Sequence, residues 1–483
     1  MKRAMCFLGV LALMFSTTAC GPSGSSSATP SSSEGNGDSS SVLDPNFQAI
    51  NTGAYTPLKF KTEDFNLEGR KIVIATWDNV FMPPTAGAST ADDMRLAHRQ
   101  KIKEQYGFDL EYKNINGNLY PEQVASALYS GTFFADIIYM KVPSSCNLMA
   151  NDMFQPLEEY VNFYDESLRS RSDFGLFNGH YYGLPATTPS PFVIAYNPAM
   201  LESAGAEDPM DLYKAGNWNW DTMREIARKC TKDFNGDGQP DQYGLSSTAI
   251  RYLGFLNGVV GFGPKQNDKY VVDIFDEPFK NAMEYYQSYA NEKLLDQNEK
   301  WGGYGANTQN FVNGSLAMFL IPPWETNSSI YANGFEDFSV VPAPMGPDVD
   351  PENPVVIDLW SSVALIPYNA SVDVKQLLTI YFGLDYNDPD DPETYVDPDD
   401  NIIESYSSKN HWRTVEEILT YTEFQKKATN KVSYFNANDY FGAMYNMVES
   451  ELYQQVFQGE SVVAALDRIK DSIMAQVEEL NKQ

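Results

Sequence analysis

Apolar positions change register repeatedly along this chain, and each change marks an element. Behind a short positive start, Met1-Lys2-Arg3, an apolar run extends from Ala4 to Phe15. It falls short of the about 20 apolar residues that span a bilayer. Small polar residues, Ser16 to Ala19, then lead to Cys20. That order is the pattern of a secretory signal. From Gly21 to Asp44 apolar residues almost vanish while Ser, Gly and Pro dominate, which predicts an unfolded tether.

A folded body follows. The β-branched run Lys71 to Trp77 predicts a buried strand. Met94, Leu96, Ala97 and Ile102 recur at helical spacing over Asp92 to Tyr106, with Gly107 as the stop. Phe108 to Tyr112 alternates as a strand, Pro121 opens a helix through Val124, Ala127 and Leu128, and Ala135 to Met140 is a third strand. Strand–helix–strand–helix–strand implies parallel pairing with right-handed crossovers. Ligands of such sheets sit beyond the carboxyl ends of the strands, which puts Trp77, Asp78, Met140 and Lys141 at the mouth of a site. Farther on, Trp220, Met223, Ile226, Ala227 and Cys230 share one helical face. Val372 to Tyr386 also reads as helix, an acidic, Pro-rich loop spans Asn387 to Asp400, and the end is helix-rich from Thr414, closing with Ser461 to Asn481.

Length and charge narrow the function. The body after the tether is too long for one small core, so two or three lobes are expected. A formal net charge of −31 disfavours nucleic acid and anionic lipid as partners. Of four cysteines, Cys6 lies in the signal and Cys20 at its end, leaving Cys146 and Cys230 as either one disulfide or two buried thiols. His98, His180 and His411 are scattered, and no nucleophile elbow, nucleotide loop or isolated pair of carboxylates appears. No motif here argues for an enzyme.

Two resemblances sharpen this. Thr17-Thr18-Ala19-Cys20 resembles the lipobox of bacterial lipoproteins, with Thr17 where leucine is usual; the resemblance implies acylation of Cys20 and a membrane anchor. Several later segments, in order, resemble the solute-binding proteins of sugar ABC importers, the group that includes maltose-binding protein. Ser130-Gly131 with Ala135-Asp136-Ile137-Ile138 is similar to that family's G-x-x-P-D-I strand, and Gln155 to Tyr160 to its P-L-D-D segment. Gly179 to Pro185 followed by Tyr196-Asn197 resembles its G-x-x-Y-G-L-P … Y-N passage. Asn217 to Asp221 resembles its P-x-T-W-D-E helix start, Phe311 to Met318 its F-x-x-G-x-x-A-M segment, and Gly459 to Leu466 its closing helix.

This resemblance implies an α/β, two-lobe periplasmic-binding-protein-like fold of type II, with hinge crossings and a helix-rich C-terminal region. Signal peptide and tether would occupy 1–20 and 21–45. Lobe 1 would take 46–190 and 346–400, and lobe 2 would take 191–345 and 401–483 with the C-terminal helices. Crossings would fall near 186–195, 343–355 and 386–410. It further implies a monomer that delivers a carbohydrate to ABC permease subunits.

Sugars offer flat C–H faces to aromatic rings and hydroxyl edges to carboxylates and amides. Trp77, Tyr182, Trp324, Trp360 and Tyr440 are the candidate rings, and Asp78, Asn79, Glu325 and Asp358 the candidate polar partners. Trp324 follows Pro322-Pro323, where the family places a sugar-stacking tryptophan. Separately, Asp233-Phe234-Asn235-Gly236-Asp237-Gly238-Gln239-Pro240-Asp241 has the oxygen spacing of the first part of an EF-hand loop. Asp233, Asn235, Asp237, Asp241 and the carbonyl of Gln239 would hold a structural Ca²⁺, although Gly244 stands where that loop has its glutamate. A peptide or other polar solute, a glycan-active enzyme and a surface adhesin are the rival readings.

Overall fold

The computed structural model describes residues 65–115, 117, 119–163, 172–296, 304–386 and 391–482. All lie in one compact unit, Leu43–Gln483. The signal, the tether and Cys20 lie outside the described residues. No helix among the described residues is long and apolar enough to cross a membrane.

The strands in chain order are β1 (Arg70–Thr76), β2 (Phe108–Asn114), β3 (Ile137–Lys141), β4 (Leu176–Phe177), β5 (His180–Tyr181), β6 (Gly183–Pro185), β7 (Val193–Tyr196), β8 (Tyr243–Leu245), β9 (Phe262–Gln266), β10 (Lys269–Val272), β11 (Leu316–Ile321), β12 (Ser339–Pro342), β13 (Val355–Asp358), β14 (Ser362–Leu365) and β15 (Thr429–Val432). Two sheets define two lobes. The first has the order β2-β1-β3-β14-β6, with β1 parallel to β2 and β3, and β14 antiparallel to β3 and β6. The second has the order β12-β7-β11-β8.

Local chemistry explains the first βαβαβ run. Helix α1 (Thr90–Tyr106) starts where Ser89 accepts the Asp92 N–H, with Asp92 and Asp93 favouring the positive end of the helix dipole. It stops at Gly107, whose φ of 62° is left-handed. Helix α2 (Tyr120–Tyr129) has Pro121 in its first turn and buries Val124 and Leu128. In the second lobe, the helix Trp220–Cys230 opens with a reciprocal cap between Asn219 and Thr222 and buries the five residues that share its apolar face.

Two short crossings join the sheets: 186–192 from β6 to β7, and 343–361 from β12 to β14, interrupted by β13. β13 pairs with β15 between the lobes. The helix Val374–Leu384 packs its Leu377, Leu378 and Ile380 with Ile72, Ile74 and Phe108 of the first lobe. The helix Val415–Lys427 brings Ile418 and Tyr421 against Val193, Phe319 and Val340 of the second. A third passage therefore runs through 385–414.

The assignment of 401–483 to lobe 2 needs correction. Beyond β15 the chain ties both lobes. Tyr434 Oη donates to the Leu176 carbonyl at 2.7 Å, and the Tyr440 hydroxyl meets that of Tyr270 on β10 at 2.9 Å. Phe441 and Met444 share a core with Cys146 of helix α3 (Val142–Ala150). The closing helix Val462–Leu480 packs on Glu277–Asn291 of the second lobe. The cause is burial: the rings of Phe177, Phe262, Tyr270, Tyr434 and Phe441 leave water only as one cluster.

Candidate functional site

The cleft is built where strands of both sheets end. At the end of β1, Thr76 Oγ1 donates to the Asp78 carbonyl at 2.9 Å, and Asp78 Oδ1 accepts the Val80 N–H at 2.9 Å. These bonds turn the chain sharply and hold Trp77 and Phe81 toward the gap between lobes. Lys141 ends β3 opposite Ser362, the first residue of β14. From the second lobe, β11 is followed by Pro322-Pro323, which sets Trp324 and Glu325 on the facing wall. Trp360 stands at the end of the second crossing. The rings of Trp324 and Trp360 meet edge to face, 4.9 Å apart at 87°, and Phe192 and Tyr252 brace Trp360 from behind at 6.0 and 6.3 Å. The cleft encloses about 520 Å³.

Trp77, Asp78, Trp324, Glu325 and Trp360 all line this one cleft. The structure redistributes their roles. The Lys141 ammonium lies 4.3 Å from the Trp77 ring centre and covers one of its faces. The indole N–H of Trp77 is buried without a partner, as is the Ser362 hydroxyl. Lys141 thus takes one stacking face of Trp77, whereas Trp324, 38% exposed, presents an open face. Glu325 takes hydroxyl hydrogens from Ser328 and Ser329, which steadies its carboxylate at the start of the π-helical turn Thr326–Ile330. Burial draws the Lys141 pKa below the ordinary lysine value, with Asp78 opposing.

Tyr182 and Tyr440 leave the candidate list. Tyr182 is 5% exposed and packed in the core; burial and the nearby Asp152 and Glu158 raise its phenol pKa. Tyr440 shares a hydroxyl–hydroxyl contact of 2.9 Å with Tyr270 and borders a separate hollow with Gly442 and Leu480. Asn79 is occupied by Asn114, whose Nδ2 donates to its Oδ1 at 2.7 Å. The side chain of Asp358 lies outside the described residues.

A second chamber of about 380 Å³ adjoins the first and shares Lys141 and Trp360 with it. Arg251 and Glu449, 2.8 Å apart, form an ion pair on its wall beside Tyr252, Asn436 and Tyr445. Burial raises the Glu449 pKa while Arg251 opposes. Sequence reasoning missed this chamber because its members lie nearly two hundred positions apart. Ser362 was missed too, whereas the strand end had already put Lys141 at the mouth of the site.

Cys146 and Cys230 are free and buried, which excludes a disulfide between them. Burial raises both thiol pKa values, that of Cys230 to about 11.

The loop 233–241 curls through its own hydrogen bonds. Asp233 accepts the Gly236 and Gly238 N–H groups at 2.7 and 2.8 Å, Asn235 accepts from Asp237 at 2.8 Å, and Asp237 from Gln239 at 2.8 Å. These bonds, Gly238 foremost, hold the Asp233 carboxyl below the usual range. Asp241 turns instead to Phe234 and Asn235. Among the described residues no three His, Cys, Asp or Glu side chains are gathered closely enough to hold a metal ion. Gly244 cannot be replaced by the missing glutamate, because a Cβ there would fall 2.3 Å from the Ala227 carbonyl oxygen.

The family model for bacterial extracellular solute-binding proteins matches residues 97–365, more than half of the 483-residue chain. The chain belongs to this family. As an extracellular solute-binding protein it works outside the cytoplasm. The fold is shared with solved sugar-binding proteins at low identity. The cyclic α-maltosyl-1,6-maltose binding protein of Arthrobacter globiformis is 14% identical with a TM-score of 0.59, covering 85% of this chain and 100% of that one. A sugar transporter protein of Rhizobium etli in an open conformation is 15% identical with a TM-score of 0.60, covering 84% and 99%. The sugar-binding protein MalE of Xanthomonas citri is 12% identical with a TM-score of 0.59, covering 85% and 98%. No curated protein matches the sequence of this solute-binding protein.

Proposed function

We propose that this solute-binding protein captures an oligosaccharide between its lobes and delivers it to an ABC permease. One observation carries the reading: Trp324 and Trp360 from opposite sides of the hinge form an aromatic corner, rimmed by Asp78 and Glu325. A pyranose ring fits such a corner, with its C–H face on an indole and its hydroxyls on the rim. The ligand bridges residues of both lobes, so only a closed form makes every contact, and binding shifts the open–closed equilibrium. The permease reads the closed shape.

The membrane-side parts belong to the same proposal. Acylation at Cys20 and the Ser-rich leash would keep the body beside the permease, and the protein acts as a monomer with no nucleic-acid partner. The loop 233–241 would take structural Ca²⁺ through Asp233, Asn235, Asp237, Asp241 and the Gln239 carbonyl. Its oxygen donors suit a hard cation, and the ion would draw Asp241 inward.

Calorimetry with di- to hexasaccharides, alongside short peptides, tests the reading. Saturable binding of a saccharide and none of peptides is expected; peptide binding alone would transfer the proposal to that rival. Release of reducing sugar from glycans by the purified protein would mark an enzyme instead.

A further inference from the structure

The cleft contains an amine that the protein leaves unused. Lys141 faces both chambers, and among the described residues it has no ion-pair partner; its neighbours are the Trp77 ring and, farther off, Asp78. In a chain with a net charge of −31, a lysine held in the binding cleft away from the many available carboxylates has a costly position. Burial weakens its hydration, and the Trp77 face and the Asp78 charge replace only part of it.

Three features converge on the space beside it. β3 and β14 run antiparallel with Lys141 directly opposite Ser362, and directly opposed residues project to the same face of a sheet. Ser362 is 1% exposed, lines the first chamber, and its hydroxyl has no hydrogen-bond partner. Helix α3 then begins at Lys141 with no side chain capping it, and its first-turn Pro143 and Ser144 line the second chamber. The Val142 N–H is taken by the Ser361 carbonyl at 2.8 Å and Pro143 has none, so what the helix start contributes is its positive dipole end. Amine and hydroxyl are donors, the helix start adds its positive end, and all are collected where the chambers meet.

The acidic groups of the cleft make no ion pair with Lys141. Asp78 accepts the Val80 N–H, Glu325 accepts from Ser328 and Ser329, and Glu449 is paired with Arg251. Lys141 is therefore the lining cation without an ion-pair partner among the described residues.

Resting on the carbohydrate reading above, we infer that the ligand is an acidic oligosaccharide whose uronate carboxylate sits at the junction of the two chambers. One carboxylate oxygen takes the Lys141 ammonium and the other the Ser362 hydroxyl, with the start of α3 behind them. Neighbouring sugar rings extend past Trp360 into each chamber.

The test compares a uronate-containing tetrasaccharide with its carboxyl-reduced counterpart, which has the same length and linkage but no charge. Both are titrated into the full mature chain by calorimetry, for the parent and for Lys141→Gln, Lys141→Arg and Ser362→Ala. Glucuronate and galacturonate series serve as probes. The parent should prefer the acidic member by about tenfold or more, as expected for one charge-assisted hydrogen bond taken out of water. That ratio should collapse toward one in Lys141→Gln, survive in Lys141→Arg, and fall in part in Ser362→Ala. Melting curves confirm that each variant is folded. Equal binding of both members by the parent, or a ratio unchanged in folded Lys141→Gln, overturns the inference while leaving oligosaccharide capture intact. No binding of any saccharide, charged or neutral, overturns both.

Discussion

Truncating Trp324 to alanine separates a binding residue from a packing residue. Trp324 is 38% exposed, so of the roughly 250 Å² that a tryptophan can bury about 95 Å² is open to the cleft. At about 25 cal/mol per Å², covering all of that surface by a sugar is worth about 2.4 kcal/mol, and covering half about 1.2 kcal/mol. Trp324→Ala should therefore weaken binding between about eightfold and about sixtyfold. The apo protein loses mainly the edge-to-face contact with Trp360, worth about 0.5–1.5 kcal/mol. In a chain longer than 250 residues this lowers the melting temperature by only a few degrees, about 2–4 °C per kcal/mol at most. Calorimetry with whichever saccharide binds the parent, paired with scanning calorimetry of the apo forms, reads both numbers. An unchanged Kd would remove Trp324 from the site. A fall of about 10 °C or more in the apo melting temperature would show that the ring is core.

Three further outcomes follow from the geometry. Millimolar calcium should raise the melting temperature of the parent but not of Asp237→Ala, and a parent indifferent to chelation would rule the ion out. Cys20→Ala should shift the protein from the membrane fraction to the medium and abolish an acylated N-terminal peptide in mass spectra; unchanged fractionation would refute the anchor. Glu292 is held down to about 2, chiefly by its hydrogen bond from Arg228, with Arg224 adding to it. A depressed carboxyl stabilises the fold above its unfolded pKa and loses that contribution as pH falls through the folded value. The parent should therefore out-stabilise Glu292→Gln at pH 7 by about 1 kcal/mol or less, since the pair is partly exposed. The gap should close between about pH 4.5 and about 2, and a gap that widens on acidification would contradict the pairing.

How far the sequence showed all this depended on the range of the interactions. β1, α1 and β3 were legible because burial and alternation are properties of neighbouring residues, and so the strand ends at Trp77 and Lys141 were legible too. Trp324 and Glu325 stood out through the proline pair before them. Tyr182 and Tyr440 misled because a tyrosine has the same local pattern whether its ring faces a ligand or a core. Only the contact of Tyr440 with Tyr270, across 170 positions, decides its place. The Arg251–Glu449 pair spans 198 positions, and the C-terminal helices bridge both lobes through aromatic contacts of similar reach. No periodicity records such pairings.

The crossings have a consequence for how affinity can evolve. Thr187 and Ser190 lie on the first crossing, and Trp360 and Ser362 lie at the end of the second, yet all four line the cleft. On the proposed reading, the surface that would touch the solute is thus partly the pivot on which the lobes would turn. Selection acting on the backbone of these two segments retunes ligand strength without exchanging a single contacting side chain. Conversely, a side-chain change made for specificity also alters the ease of opening, so that capture and release are coupled in one short stretch of chain.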